Sequence, residues 1–144
     1  MYTNSSEDYI SNKDWFDDVV GGECVILRCV SALEYLELFV GYMNENTIDV
    51  YAKKKGIYKN INYYIVNSYD NIEYMRFGNI LCSSVNQAIN DILKENSDMQ
   101  ALTESLCNYY NYNNYSFNGL IIKPENLNKF ISIKELAINY FQGA

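Results

Sequence analysis

The residues able to do chemistry in this chain are carboxylates, lysines, tyrosines and four cysteines; histidine is absent. Without histidine, Ser-His-Asp and Cys-His nucleophiles are excluded in their usual form, as are histidine bases and histidine-ligated metals. The cysteines stand at 24, 29, 82 and 107, with no C-x-x-C element and apolar neighbours. Buried, reduced thiols are expected, with no metal and no cofactor. No phosphate loop of the G-x-x-x-x-G-K-[ST] kind and no G-x-G-x-x-G turn occurs. One pair invites a nuclease reading: Asp49 lies four residues before Lys53. A metal-dependent nuclease strand wants a second acid two residues before the lysine, and Tyr51 occupies that place. A solvated strand end is expected instead, and no residue is assigned a catalytic role. No carboxylate pair stands out as a glycosidase pair would.

Three groups could bind. Residues 1–50 hold ten acids against two bases, while the whole chain carries a net charge of −7. Asp14, Asp17 and Asp18 concentrate that charge on one predicted helix. Solubility explains it, or the face meets a basic partner. Such a surface repels nucleic-acid phosphates, so direct DNA binding is not expected. Lys53, Lys54 and Lys55, with Lys59, interleave with Tyr51 and Tyr58. This is either a basic aromatic patch or, as preferred here, a charged hairpin tip that protects edge strands. Tyr109 and Tyr110 open an Asn/Tyr-rich stretch, 108–115, in a chain with 15 tyrosines. Tyrosine suits interfaces, and an AT-rich genome enriches the same residues; both readings stay open.

The elements that must position these groups read as one α+β domain over 1–144. A small antiparallel sheet of about four strands is expected against four to five helices. Trp15, Phe16, Val19 and Val20 mark a helix over 11–20, ended by Gly21-Gly22. Residues 24–39 are apolar on nearly every face and read as a central helix punctuated by Gly41. Residues 47–52, 61–66, 72–77 and 80–82 read as strands in a meander. Ser84 and Gln87 form a capping box before the stripe Val85, Ala88, Ile89, Ile92, Leu93. Ser97-x-x-Gln100 and Ser132-x-x-Glu135 predict two further caps, with a brief strand at 120–122. Residues 112–144 form an additional C-terminal segment. Met1 to Asp8 lacks the charge and apolar run of a signal peptide, and the longest apolar stretch, 24–40, is interrupted by Arg28, Glu34 and Glu37. A cytoplasmic, non-membrane protein is expected.

The run Cys29-Val30-Ser31-Ala32-Leu33-Glu34-Tyr35-Leu36-Glu37-Leu38 resembles the "S-A-L…L" helix of AbiEi-type antitoxins, from type IV abortive-infection toxin–antitoxin systems. A strand like Ile48–Ala52 follows in that family. So does a strand leading into a helix, similar to Gly78 through Leu93, with Asp91 where the family places its helix aspartate. The likeness covers about residues 24–95. Family members usually begin with a winged helix-turn-helix, whereas only residues 1–23, acidic in character, precede the matching region here. The resemblance therefore implies the second domain alone: a non-enzymatic bacterial phage-defence domain whose protein partner is a nucleotidyltransferase-type toxin. The alternative is a small acidic inhibitor, encoded by a phage or mobile element, that binds a basic nucleic-acid-handling protein.

Overall fold

A computed structural model describes residues 12–40 and 47–140, with side chains from Trp15 onward. In chain order the elements are α1 (Asn12–Val20), β1 (Ile26–Leu27), α2 (Cys29–Tyr35), β2 (Ile48–Ala52), β3 (Ile61–Ile65), β4 (Tyr74–Phe77) and β5 (Ile80–Ser83). Then come α3 (Val85–Glu95), α4 (Met99–Tyr112), a 3-10 turn (Pro124–Asn126) and α5 (Leu127–Ile138). Among the described residues, five helices and one five-stranded sheet make an α+β fold, as the sequence predicts, with one strand more than expected.

The pairing corrects the expected antiparallel meander. Strand order is β3-β2-β1-β5-β4. β1 runs antiparallel to β2 but parallel to β5, β2 and β3 are parallel, and β4 and β5 form an antiparallel hairpin. The expected central helix over 24–39 is also corrected: its first turn is β1, the middle strand. Ile26 and Leu27 are both fully buried. A strand covered on both faces shows no alternation, so periodicity cannot separate it from a buried helix. Cys29, at φ 50°, turns the chain from β1 directly into α2. The lysine run is not a hairpin tip either. Residues 53–60 return the chain so that β3 starts level with β2. β2 is roughly 17 Å long and eight residues can reach about 26 Å, so the short crossover closes.

Registers assign the faces. Leu27 lies beside Val50 and Cys82, and these belong to the core built with Phe16, Leu33, Ile89, Ile92, Leu102 and Leu106. Ile26, Tyr51 and Tyr64 line up on the opposite face. β3 ends level with the start of β1, across β2, and β4 begins beside the end of β5. Residues 66–73 must therefore cross that second face diagonally. Tyr69 fastens the crossing: its hydroxyl donates to the Cys24 carbonyl at 2.6 Å.

Of the three predicted caps, one forms. Ser84 Oγ accepts from the Gln87 amide N–H at 3.1 Å. The Gln87 side chain does not reciprocate; its Oε1 accepts from Glu73 N–H at 2.9 Å instead. Asp98, in the left-handed region at φ 47°, precedes α4 without a side-chain cap, so the box at 97–100 is absent. Ser132 falls inside α5, donating to the Lys129 carbonyl, because Pro124 sets the start of that helical run earlier. Residues 120–122 form no strand. Asn86 and Asn90 hold them extended through hydrogen bonds to the backbone of Ile121 and Lys123. Phe130 and Ala137 of the C-terminal segment enter the common core. Cys29, Cys82 and Cys107 are buried free thiols, whereas Cys24 is exposed. Gly41 lies outside the described residues. Among those described, no helix is long and apolar enough to cross a membrane.

Candidate functional site

The densest cluster of reactive side chains lies where β1, β2 and α3 meet. Arg28, only 6% exposed, leaves the end of β1 and pairs with Glu95 on the last turn of α3. Its guanidinium carbon sits 4.6 Å from the Tyr51 ring centre and 4.3 Å from that of Tyr64. The Tyr51 hydroxyl donates to Asp91 Oδ2 at 2.5 Å, and Gln87 Nε2 donates to Asp91 Oδ1 at 3.2 Å. The helical spacing of Gln87, Asp91 and Glu95 puts all three on one face of α3, toward the sheet. The opposite stripe, Ala88, Ile89 and Ile92, faces the core.

Each pKa in this cluster follows from its neighbours. Burial raises the Asp91 carboxyl above its ordinary value, against the lowering by Tyr51 and Gln87. Burial, then the Asp91 carboxylate, raises the Tyr51 phenol. For Arg28 burial opposes the charge, yet Cys29, Glu95 and Tyr51 outweigh it and the pKa rises. Cys29 sits at a sharp strand-to-helix turn with Sγ 4.0 Å from Glu95 Oε1, a placement suggestive of a nucleophile. Burial raises that thiol strongly, with Glu95 and Asp91 adding to the shift and only Arg28 opposing it. A thiol held protonated is a poor nucleophile. Arg28 Nε is left without a partner; its Nη2 is held by Glu95, and its guanidinium lies against the Tyr51 and Tyr64 rings. The cluster is a charge-matched pin between sheet and helix.

Beside this pin opens a predominantly polar cleft of about 560 Å³ between the crossing segment and α3. Tyr51, Tyr64, Asn67, Asn71, Asp91, Lys94, Lys123 and Asn126 are among its walls.

A second depression of about 830 Å³ lies at the sheet end where β1 begins. Its floor is apolar, from Val20, Val25, Ala52, Ile61 and Tyr63, and Lys53, Lys54 and Lys55 line it with Ile57, Tyr58 and the acid Glu23. Ile57 is 87% exposed and Tyr58 50%. Lys53 Nζ stands 5.1 Å from the Tyr69 ring centre. Among the described residues, Lys54 and Lys55 have no ion-pair partner.

The sequence-derived candidates separate into three places. Lys53, Lys54, Lys55 and Tyr58 do come together, at this groove. Asp17 and Asp18 are exposed on α1; the side chain of Asp14 lies outside the described residues. Tyr109 and Tyr110 are half-buried and structural: Tyr109 donates to the Asn118 carbonyl at 2.6 Å, and Tyr110 packs on Tyr115 and Phe117. Asp49 accepts from Asn62 at 2.9 Å and is not drawn to Lys53. Among the described residues, no group of His, Cys, Asp and Glu is arranged to hold a metal ion. Sequence reasoning missed Arg28, Glu95 and Tyr64. A lone arginine in the most apolar stretch of the chain was the available signal, since a buried arginine needs an acid.

Comparison with protein-family models, with curated proteins and with solved structures gives no match to this chain.

Proposed function

We propose that this chain is a non-enzymatic binding domain, antitoxin-like in role, that receives an acidic, apolar segment of a protein partner in the lysine-rimmed groove. The observation that carries the reading is the groove itself. It has the volume of a binding site, an apolar floor, and walls on which three lysines outnumber one acid, Glu23, with Lys54 and Lys55 lacking an ion-pair partner among the described residues, within a chain that is acidic overall. Exposed Ile57 and Tyr58 add the amphipathic anchors that interfaces favour. The opposite charge of the rim selects an acidic segment and speeds its approach. The buried pin supports the non-enzymatic reading, because Asp91, Glu95 and Tyr51 are each held by a fixed neighbour.

The partner implied by the resemblance is a nucleotidyltransferase-type toxin. Co-expression with the product of such a gene, next to this one, is expected to restore growth. Absence of any such neighbour from every homologous locus would sink the antitoxin role. Exposed Asp17, Asp18 and Glu23 favour a second reading, an acidic inhibitor of a basic nucleic-acid-handling protein. That reading requires salt-sensitive binding lost on reversing Asp17 and Asp18, with the lysines irrelevant.

A further inference from the structure

The polar cleft beside the pin is separate from the docking groove, and its walls supply three kinds of contact at once. The first is aromatic. Tyr64 is 45% exposed, and Arg28 packs against its ring at 4.3 Å. The exposed remainder of the ring is thus a fixed platform rather than a mobile side chain. The second is hydrogen bonding. Asn67 and Asn71 on the crossing segment make no side-chain hydrogen bond among the described residues. Asn126 is 3% exposed and uses its amide nitrogen on Asn90; its carbonyl oxygen, at the cleft wall, has no hydrogen bond among the described residues. The third is charge. Lys94 and Lys123 are both exposed, neither has an ion-pair partner among the described residues, and they come from different elements. Asp91 also lines the cleft, but its two oxygens already accept from Tyr51 and Gln87, and Arg28 stands nearby, so neither lysine is paired with it. Glu125 is the remaining acid, at the exposed rim, where a sugar hydroxyl can donate to it. At about 560 Å³ the space is of small-molecule size.

We propose that this cleft binds a mononucleotide: the base stacks on Tyr64, the Asn67, Asn71 and Asn126 amides meet its polar edge, and Lys94 and Lys123 hold the phosphate. A planar face, several donor–acceptor edges and an anion are combined in that class of ligand. Inorganic phosphate and most amino acids offer an anion and hydrogen-bonding groups but no planar face to stack. Stacking on an aromatic ring tolerates any base, so purine and pyrimidine nucleotides both enter.

The test is calorimetric titration of the full chain with adenosine 5′-monophosphate and uridine 5′-monophosphate, alongside adenosine and inorganic phosphate. Both nucleotides are expected to bind saturably, and more tightly than inorganic phosphate. Lys94→Ala with Lys123→Ala weakens the nucleotides about tenfold and leaves adenosine unchanged. Tyr64→Ala weakens adenosine and the nucleotides alike. Should that variant be poorly folded, Asn71→Ala on the exposed crossing segment replaces it, again with weakened binding of both. The proposal is overturned by absence of saturable nucleotide binding in the millimolar range, by inorganic phosphate binding as tightly as the nucleotides, or by lysine variants that bind like wild type.

Discussion

The Arg28 pin and the lysine groove hold the same kinds of residue, basic side chains among tyrosines, and treat them in opposite ways. In the pin, arginine is buried against two rings, its charge is matched by Glu95, and Asp91 is matched by Tyr51. In the groove, Lys54 and Lys55 face solvent over an apolar floor. Groups that satisfy one another contribute to the stability of the fold, and their removal leaves a partner buried and unpaired. Groups left open cost the fold almost nothing to change, so any effect of changing them must appear in binding. The difference teaches which residues report on folding and which on function.

The stability side of that comparison can be broken in three places. Ile89→Asp sets the upper end of the scale. It places an unpaired charge at a fully buried position on the core side of α3, at a cost on the order of 5 kcal/mol, enough to unfold the domain. Circular dichroism checks it, and a folded variant of unchanged midpoint would contradict the core assignment. Arg28→Ala comes next. Breaking a buried pair costs about 3–5 kcal/mol, and the partial exposure of Glu95 lowers that to about 2–3 kcal/mol in urea denaturation.

The third is smaller and depends on pH. The folded Asp91 carboxyl binds its proton more tightly than the unfolded one, whose ordinary value is 3.8. Folding then takes up a proton between those two values. The Asp91 contribution is fully present below the unfolded value and declines as pH rises through the folded one. Asp91→Asn removes this slope. The urea midpoint of wild type relative to the variant is expected to fall as pH rises above the ordinary carboxyl value, and parallel curves for the two proteins would contradict it.

Much of this was legible in the sequence where a local signal existed. α1, β2, β3, β5 and the Ser84-capped α3 follow from periodicity, alternation and capping chemistry at their own residues. The α+β class follows from their order. β1 was not legible, because two residues buried on both sides carry no period, and with it went the mixed pairing of the sheet. The parallel β2–β3 pair was hidden for a related reason: Lys53-Lys54-Lys55-Gly56 is composed like a turn, and composition does not say which way the next strand runs. The caps at Ser97 and Ser132 failed because Asp98 and Pro124 set the helix starts elsewhere. As for the sites, the groove lysines were visible as a run. The Arg28–Glu95 pair spans 67 positions, and only tertiary structure brings its two halves together.

The most direct measurement compares one substitution from each region in a single experiment: growth rescue against the proposed nucleotidyltransferase-type toxin partner, with the melting temperature of each purified variant. Lys54→Glu with Lys55→Glu is expected to abolish rescue while altering stability by less than about 0.5 kcal/mol. Tyr51→Phe, which removes the hydroxyl held by Asp91, is expected to lower stability by about 1 kcal/mol and retain rescue. Rescue kept by the lysine variant and lost with Tyr51→Phe at a temperature where that variant is fully folded would contradict the account, placing function at the pin and not at the groove.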